Sequence, residues 1–170
     1  MAAKGIITFD LSGRTGYCYG VEKPEKWGWI TIPATPDNPG RRWASVRNEM
    51  SDLVGDLAQR TNGASDIDFV IEKTFPSHMQ THANTAIQQM GLATIAEIVA
   101  YDEGAKLVTV APSTVRTSVM GRGFGKMTKK EKEGGAIVRW LNQQGYITYD
   151  HNTADAILMW LYRRGIKHGG

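Results

Sequence analysis

The chain has 170 residues, 41% of them hydrophobic and 22% charged, with a net charge of +3; this is the size and balance of one globular domain that can bury a core. No apolar run approaches the roughly 18 residues of a membrane span. The single cysteine, Cys18, excludes an internal disulfide framework and a multi-cysteine zinc site.

No early segment reads as a secretory signal, because the first apolar run is short and ends on Asp10. A reducing, cytoplasmic compartment is the expectation. Charge is unevenly placed. Residues 1–103 carry net −4 and residues 104–170 carry net +7. A basic C-terminal part beside an acidic one points to a polyanionic partner.

The first predicted element is a buried strand, Lys4 to Asp10, rich in β-branched residues and ending on an acid. Ser12, Gly13 and Gly16 make a sharp turn after it. An aspartate at the tip of a buried strand is costly unless something positive meets it, or unless it caps a turn. Strands at Thr15–Val21 and Trp27–Ile32 follow, with a short turn between them. Three strands so joined make an antiparallel meander.

Pro33 to Gly40 reads as a loop and Arg41 to Ala58 as a helix. Trp43, Val46, Met50, Leu53, Val54 and Leu57 fall on one face of that helix. Asp68–Glu72 is a second strand ending on an acid. Coming after a helix, it is expected to lie parallel to the first strand. Neighbouring strands are about 4.8 Å apart, so Asp10 and Glu72 can face one cation. His78 and His82, in the loop that follows, read as exposed residues or phosphate contacts rather than metal ligands.

A helix is expected over Thr81–Tyr101, with Ala86, Ile87, Met90, Thr94, Ile95, Ile98 and Val99 as its apolar side. Gly91 inside it implies a close approach of another element, since glycine there costs about 1 kcal/mol relative to alanine. Lys106–Val110 is a strand, and Ala111-Pro112-Ser113 signals a helix start. The stretch Met120 to Lys130 is glycine-rich and basic, without the spacing of a phosphate-binding P-loop. It suits a nucleic-acid backbone. Thr128 to Gln144 reads as a helix burying Ala136, Ile137, Trp140 and Leu141 and ended by Gly145. A last helix, Ala154 to Arg164, is expected to be capped by Asn152 or Thr153. Asn152 and Asp155 are spaced i, i+3, so they can point the same way.

This order of elements resembles the ribonuclease H-like nucleases, and more closely the RuvC family of Holliday junction resolvases in its bacteriophage-type branch. The resemblance is carried by Phe9-Asp10 with Thr15-Gly16-Tyr17, by Val70-Ile71-Glu72 with Phe75 three residues on, and by Gly91. It continues through Gly121-Arg122-Gly123, Lys129-Lys130, Gly145-Tyr146 and Asn152-Thr153-Ala154-Asp155-Ala156. It implies an α/β fold in one domain over residues 1–170: a mixed five-stranded sheet, meander plus two parallel strands, flanked by helices.

The resemblance also implies a junction-cutting endonuclease that uses two Mg²⁺ or Mn²⁺ ions about 3.5–4 Å apart. Asp10, Glu72 and Asp155 would hold them through hard carboxylate oxygens. The family commonly has an acid or histidine where this chain has Asn152, whose neutral carbonyl would hold a cation more weakly. Asp150 or His151 could compensate. Phe75 would wedge against bases at the exchange point. Arg122, Lys126, Lys129, Lys130 and Lys132 would contact phosphates, with Lys130 a candidate to steady the leaving oxygen. The partners implied are four-way or other branched DNA and a second copy of the chain, because a two-fold substrate calls for two related sites.

Two other readings share these residues. One is a junction-binding module that does not cut. The other is a phosphate-binding domain of the actin-like or sugar-kinase type, suggested by the Asp10–Gly16 turn, although such folds need a second domain.

Overall fold

In the computed structural model, which describes residues 4–32, 38–73, 83–124 and 135–167, the β-branched and aromatic runs pair into one sheet. Its strands are β1 (Gly5–Asp10), β2 (Arg14–Gly20), β3 (Lys26–Thr31), β4 (Ile67–Glu72) and β5 (Lys106–Val110). They lie in the order β3-β2-β1-β4-β5. The pairs β1–β2 and β2–β3 are antiparallel, while β1–β4 and β4–β5 are parallel. This is the expected mixed α/β sheet, a meander extended by two parallel strands.

The described helices are α1 (Pro39–Ala58), α2 (Ala83–Asp102), α3 (Pro112–Met120), α4 (Ala136–Gln143) and α5 (His151–Arg164). Asn38 caps α1, accepting from the Arg41 N–H at 3.0 Å. Proline opens both α1 and α3, where its missing N–H costs nothing. Gly145, at φ 90°, ends α4 as expected.

Alternation along the strands splits the core in two. Ile7 and Phe9 of β1 and Leu11 just after it, with Tyr17 and Tyr19 of β2 and Ile67, Phe69 and Ile71 of β4, face α1 and α2. Ile6, Cys18 and Val70 face α3, α4 and α5. Cys18 is fully buried and free, in keeping with a packing role. Gly91 lets α2 approach α1: a Cβ there would sit 3.3 Å from the Trp43 ring.

Three expectations change. Ile87, Met90 and Ile98 of α2 are not core but 67%, 55% and 44% exposed, and Tyr101 beside them is exposed too. The sheet and α1 instead take Leu92, Ala93, Ala96, Val99 and Ala100. The last helix starts three residues before Ala154. Its cap is Asp150, whose carboxylate accepts from the Thr153 N–H at 2.9 Å, so neither Asn152 nor Thr153 caps it. In α4, Ile137 and Leu141 are buried, but Ala136 and Trp140 only partly; the expected first turns of that helix, residues 128–134, lie outside the described residues.

Helix α5 is buried on nearly every side from Thr153 to Leu161 and is fastened to the sheet along its length. Thr153 donates to the Gly28 carbonyl at 3.0 Å. Thr8 donates to the Ala156 carbonyl at 2.7 Å, and the Trp160 indole N–H donates to Ile6 at 3.1 Å. At the far end Arg163 holds the buried Asp68 at 2.6 Å, with Lys4 on its other oxygen. These hydrogen bonds make the seat of α5 specific as well as apolar.

Candidate active site

The same alternation that buries Ile6 and Thr8 against α5 turns Asp10 toward that helix. Asp10 is 6% exposed. Its antiparallel partner across the strands is Gly16. On the other side Phe9 pairs with Ile71 in the parallel register, so the next residues, Asp10 and Glu72, stand side by side at strand ends. Glu72 shares the face of Val70, again toward the helices that follow.

Asp155 arrives from α5 and is 8% exposed. Its approach depends on Gly16. A Cβ at Gly16 would lie 2.2 Å from the Asn152 carbonyl carbon and oxygen and 2.6 Å from the Thr153 nitrogen. Only a bare backbone lets the first turn of α5 sit on β2 there. One small pocket is lined by Glu72, Asp155, Arg116, Pro112, Val115 and Met159. Two of the three predicted acids therefore share a pocket, and the third stands on the strand beside Glu72.

The remaining predicted residues divide. Asn152 is half-buried in the first turn of α5, one turn before Asp155. The carboxylate of Asp150 is engaged as the helix cap. His151 is exposed. Arg122 is exposed in a short 3₁₀ turn, Arg122–Phe124. Phe75, His78, His82, Lys126, Lys129, Lys130 and Lys132 lie outside the described residues.

Among the described residues, no three His, Cys, Asp or Glu side chains converge closely enough to hold a metal ion. The donors themselves are of the right kind. Asp10, Glu72, Asp155 and the Asn152 amide offer only oxygen or neutral amide groups, the set that hard cations such as Mg²⁺ prefer.

Arg116 is a site residue with no sequence signal of its own. It lies on α3 and lines the pocket with Glu72 and Asp155. Its Nε is buried without a hydrogen-bond partner among the described residues. A cation there offsets part of the charge that the two acids bring together. The only hint in the sequence is topological: α3 starts just after β5, whose Val110 pairs with Glu72, so its first turns overlook the acidic strand ends.

No family model and no curated protein matches the chain. Solved structures do. Thermus thermophilus RuvC superposes with a TM-score of 0.65 at 14% identity, over 95% of this chain and 96% of that one. The T. thermophilus RuvC in complex with a Holliday junction substrate gives 0.67 at 10% identity, over the same shares. The fold is therefore the ribonuclease H-like α/β fold of RuvC.

Proposed function

We propose that this chain is a metal-dependent endonuclease that cuts four-way DNA junctions. The observation that carries the reading is the placement of Asp10, Glu72 and Asp155 at one end and on one face of a sheet with the RuvC fold. The solved neighbour that holds a Holliday junction supports the choice of substrate.

In this reading Asp10, Glu72 and Asp155 hold Mg²⁺ or Mn²⁺, with Asn152 as a weak fourth ligand. The bound ions would supply a nucleophilic water and stabilise the leaving oxygen. Arg116, reaching the same pocket, neutralises the scissile phosphate. Phe75 stacks on a base at the exchange point. Arg122, Lys126, Lys129, Lys130 and Lys132 hold flanking phosphates, and Lys130 stands nearest in role to the leaving group.

Two symmetric cuts need two sites, so the chain works as a homodimer. The exposed stripe Ile87, Met90, Ile98 and Tyr101 on α2 recurs at helical spacing. It is a face that a second copy can cover.

Asn152, where a charged ligand would be stronger, favours one second reading: a branched-DNA-binding module that does not cut. Incubating a synthetic four-way junction and a linear duplex with Mg²⁺ or Mn²⁺ separates the two. Paired cuts in the junction alone are expected. Tight junction binding in EDTA with no cutting in either metal would select the binding module. Equal treatment of junction and duplex would remove the junction from the reading.

A further inference from the structure

On the acidic face of the sheet, two strands from Asp10, stands a half-exposed tryptophan. Asp10 pairs with Gly16, and Gly16 pairs with Trp29. Directly opposed residues share a face, so Asp10, Gly16 and Trp29 form one row across β1, β2 and β3. Strands about 4.8 Å apart put the Trp29 backbone about 10 Å from that of Asp10. The first turn of α5 lies over Gly16, between the two.

Trp29 is 48% exposed, unusual for so large an apolar group in a strand that also buries Ile30. Its ring carries the Arg14 guanidinium, 4.9 Å from the centroid. Arg14 is itself exposed. Four other arginines are neutralised, Arg47 by Asp102, Arg60 by Glu25, Arg163 by Asp68 and Arg164 by Glu22; Arg42 also lies over an indole, that of Trp43, but on the α1 side of the sheet, away from the acids. Arg14 has no ion pair and donates no side-chain hydrogen bond among the described residues. Stacking on indole fixes the plane of the guanidinium without using its N–H edge. That edge is a fork ready for an anion.

Building on the junction-cutting function proposed above, we propose that Arg14, seated on Trp29, grips a backbone phosphate that flanks the scissile one. An oriented cation beside a cluster of acids has a clear use. The acids repel a phosphodiester until cations screen them. A guanidinium held over Trp29, in the row that Asp10 shares, attracts the same strand and sets its register. Trp29 is thus a positioning residue for Arg14, and Arg14 a DNA-binding residue outside the basic stretch that begins at Arg122.

The test is junction binding by fluorescence anisotropy in EDTA at several salt concentrations, using the full chain. The variants are Arg14→Gln, Trp29→Ala, Trp29→Phe and the double variant Arg14→Gln/Trp29→Ala. Loss of one phosphate contact lowers the salt slope by about 0.9, and affinity should fall about tenfold in Arg14→Gln. Trp29→Ala should lose part of the same contact. Trp29→Phe, which keeps a ring under the guanidinium, should restore most of it. The double variant should be no weaker than Arg14→Gln alone, since the two residues act as one unit.

Melting curves identify any variant that has lost its fold, and Arg14→Gln, at an exposed site, is the variant on which the result rests. An unchanged slope and affinity in Arg14→Gln, with a wild type that binds junctions, overturns the phosphate grip and leaves the nuclease reading standing. A wild type that binds no junction overturns both.

Discussion

Gly16 and Asn152 are in backbone contact across 136 positions of sequence: a methyl group on Gly16 would fall 2.2 Å from the Asn152 carbonyl. That contact seats α5, and with it Asp155, on the strand next to Asp10. Gly16→Ala should therefore force the helix off the sheet. A stability loss of about 1–3 kcal/mol is expected from such overpacking, read as a lower melting temperature. Cleavage should fall further than junction binding does, because the acids separate while the basic surfaces remain. Equal losses in both would mean that the contact serves general stability only.

Asp10→Asn, Glu72→Gln and Asp155→Asn should each abolish cleavage and leave junction binding largely intact. In the proposed function the acids hold cations, whereas arginines and lysines hold phosphates. Arg116→Gln should reduce the cleavage rate by about 10²-fold or more, the scale of a lost charge-stabilising group, with a smaller effect on binding. Near-normal cleavage in any of the four variants would remove that residue from the site.

Asn152→Asp tests the fourth ligand. One unit-charge pair at 4 Å is worth about 4 kcal/mol at an effective dielectric of about 20, before desolvation. The metal midpoint of cleavage should move to lower Mg²⁺ or Mn²⁺. Without metal, the new carboxylate repels Asp155. The N-terminus of α5 offsets about 0.3–1 kcal/mol of that cost, because position 152 lies in its first turn. A net fall in melting temperature in EDTA is expected. An unmoved midpoint would show that position 152 points away from the acids.

Asp150 caps α5, so Asp150→Ala should cost about 1 kcal/mol of stability, equally with and without metal. A shift in the metal dependence of cleavage would instead give Asp150 a ligand role.

Burial raises the Cys18 thiol well above its ordinary range, because desolvation penalises the charged thiolate. With so little thiolate at neutral pH and no access, Cys18 should resist a disulfide reagent in the native protein and react fully in denaturant. The buried group stays neutral while the unfolded thiol ionises through its usual range, so the folded state loses stability as pH rises through that range. Rapid labelling of the native chain would show that the α5 side of the core opens readily.

Much of this was legible in the chain itself. Asp10 and Glu72 close short β-rich runs, and local pattern alone puts both at strand ends. Other points needed the tertiary structure. Asp150, Asn152 and Thr153 are all cap formers, and local chemistry does not choose among them. The choice falls to Asp150 because the Thr153 hydroxyl is taken by Gly28. Helix α2 is apolar on more than one side, so periodicity identifies a helix without saying which stripe meets the sheet. Its small residues Ala93, Ala96 and Ala100 pack closely there, leaving the larger Ile87, Met90 and Ile98 outside. Arg116 carries no motif at all. It becomes meaningful only when α3 is laid beside Glu72.

Helix α5 supplies both the last acid and much of the packing beneath the sheet, yet it is made late. A ribosome delivers β1 through β5 before residue 151 exists. Until α5 docks, Asp10 and Glu72 stand at the edge of a half-covered sheet with no third acid. Contacts such as Thr8 to Ala156 and Ile6 to Trp160 close loops of roughly 150 residues, the kind that form slowly. If the chain cuts DNA as proposed, a nascent chain would then lack a complete site, and the sheet face that α5 covers would be its aggregation-prone surface during synthesis.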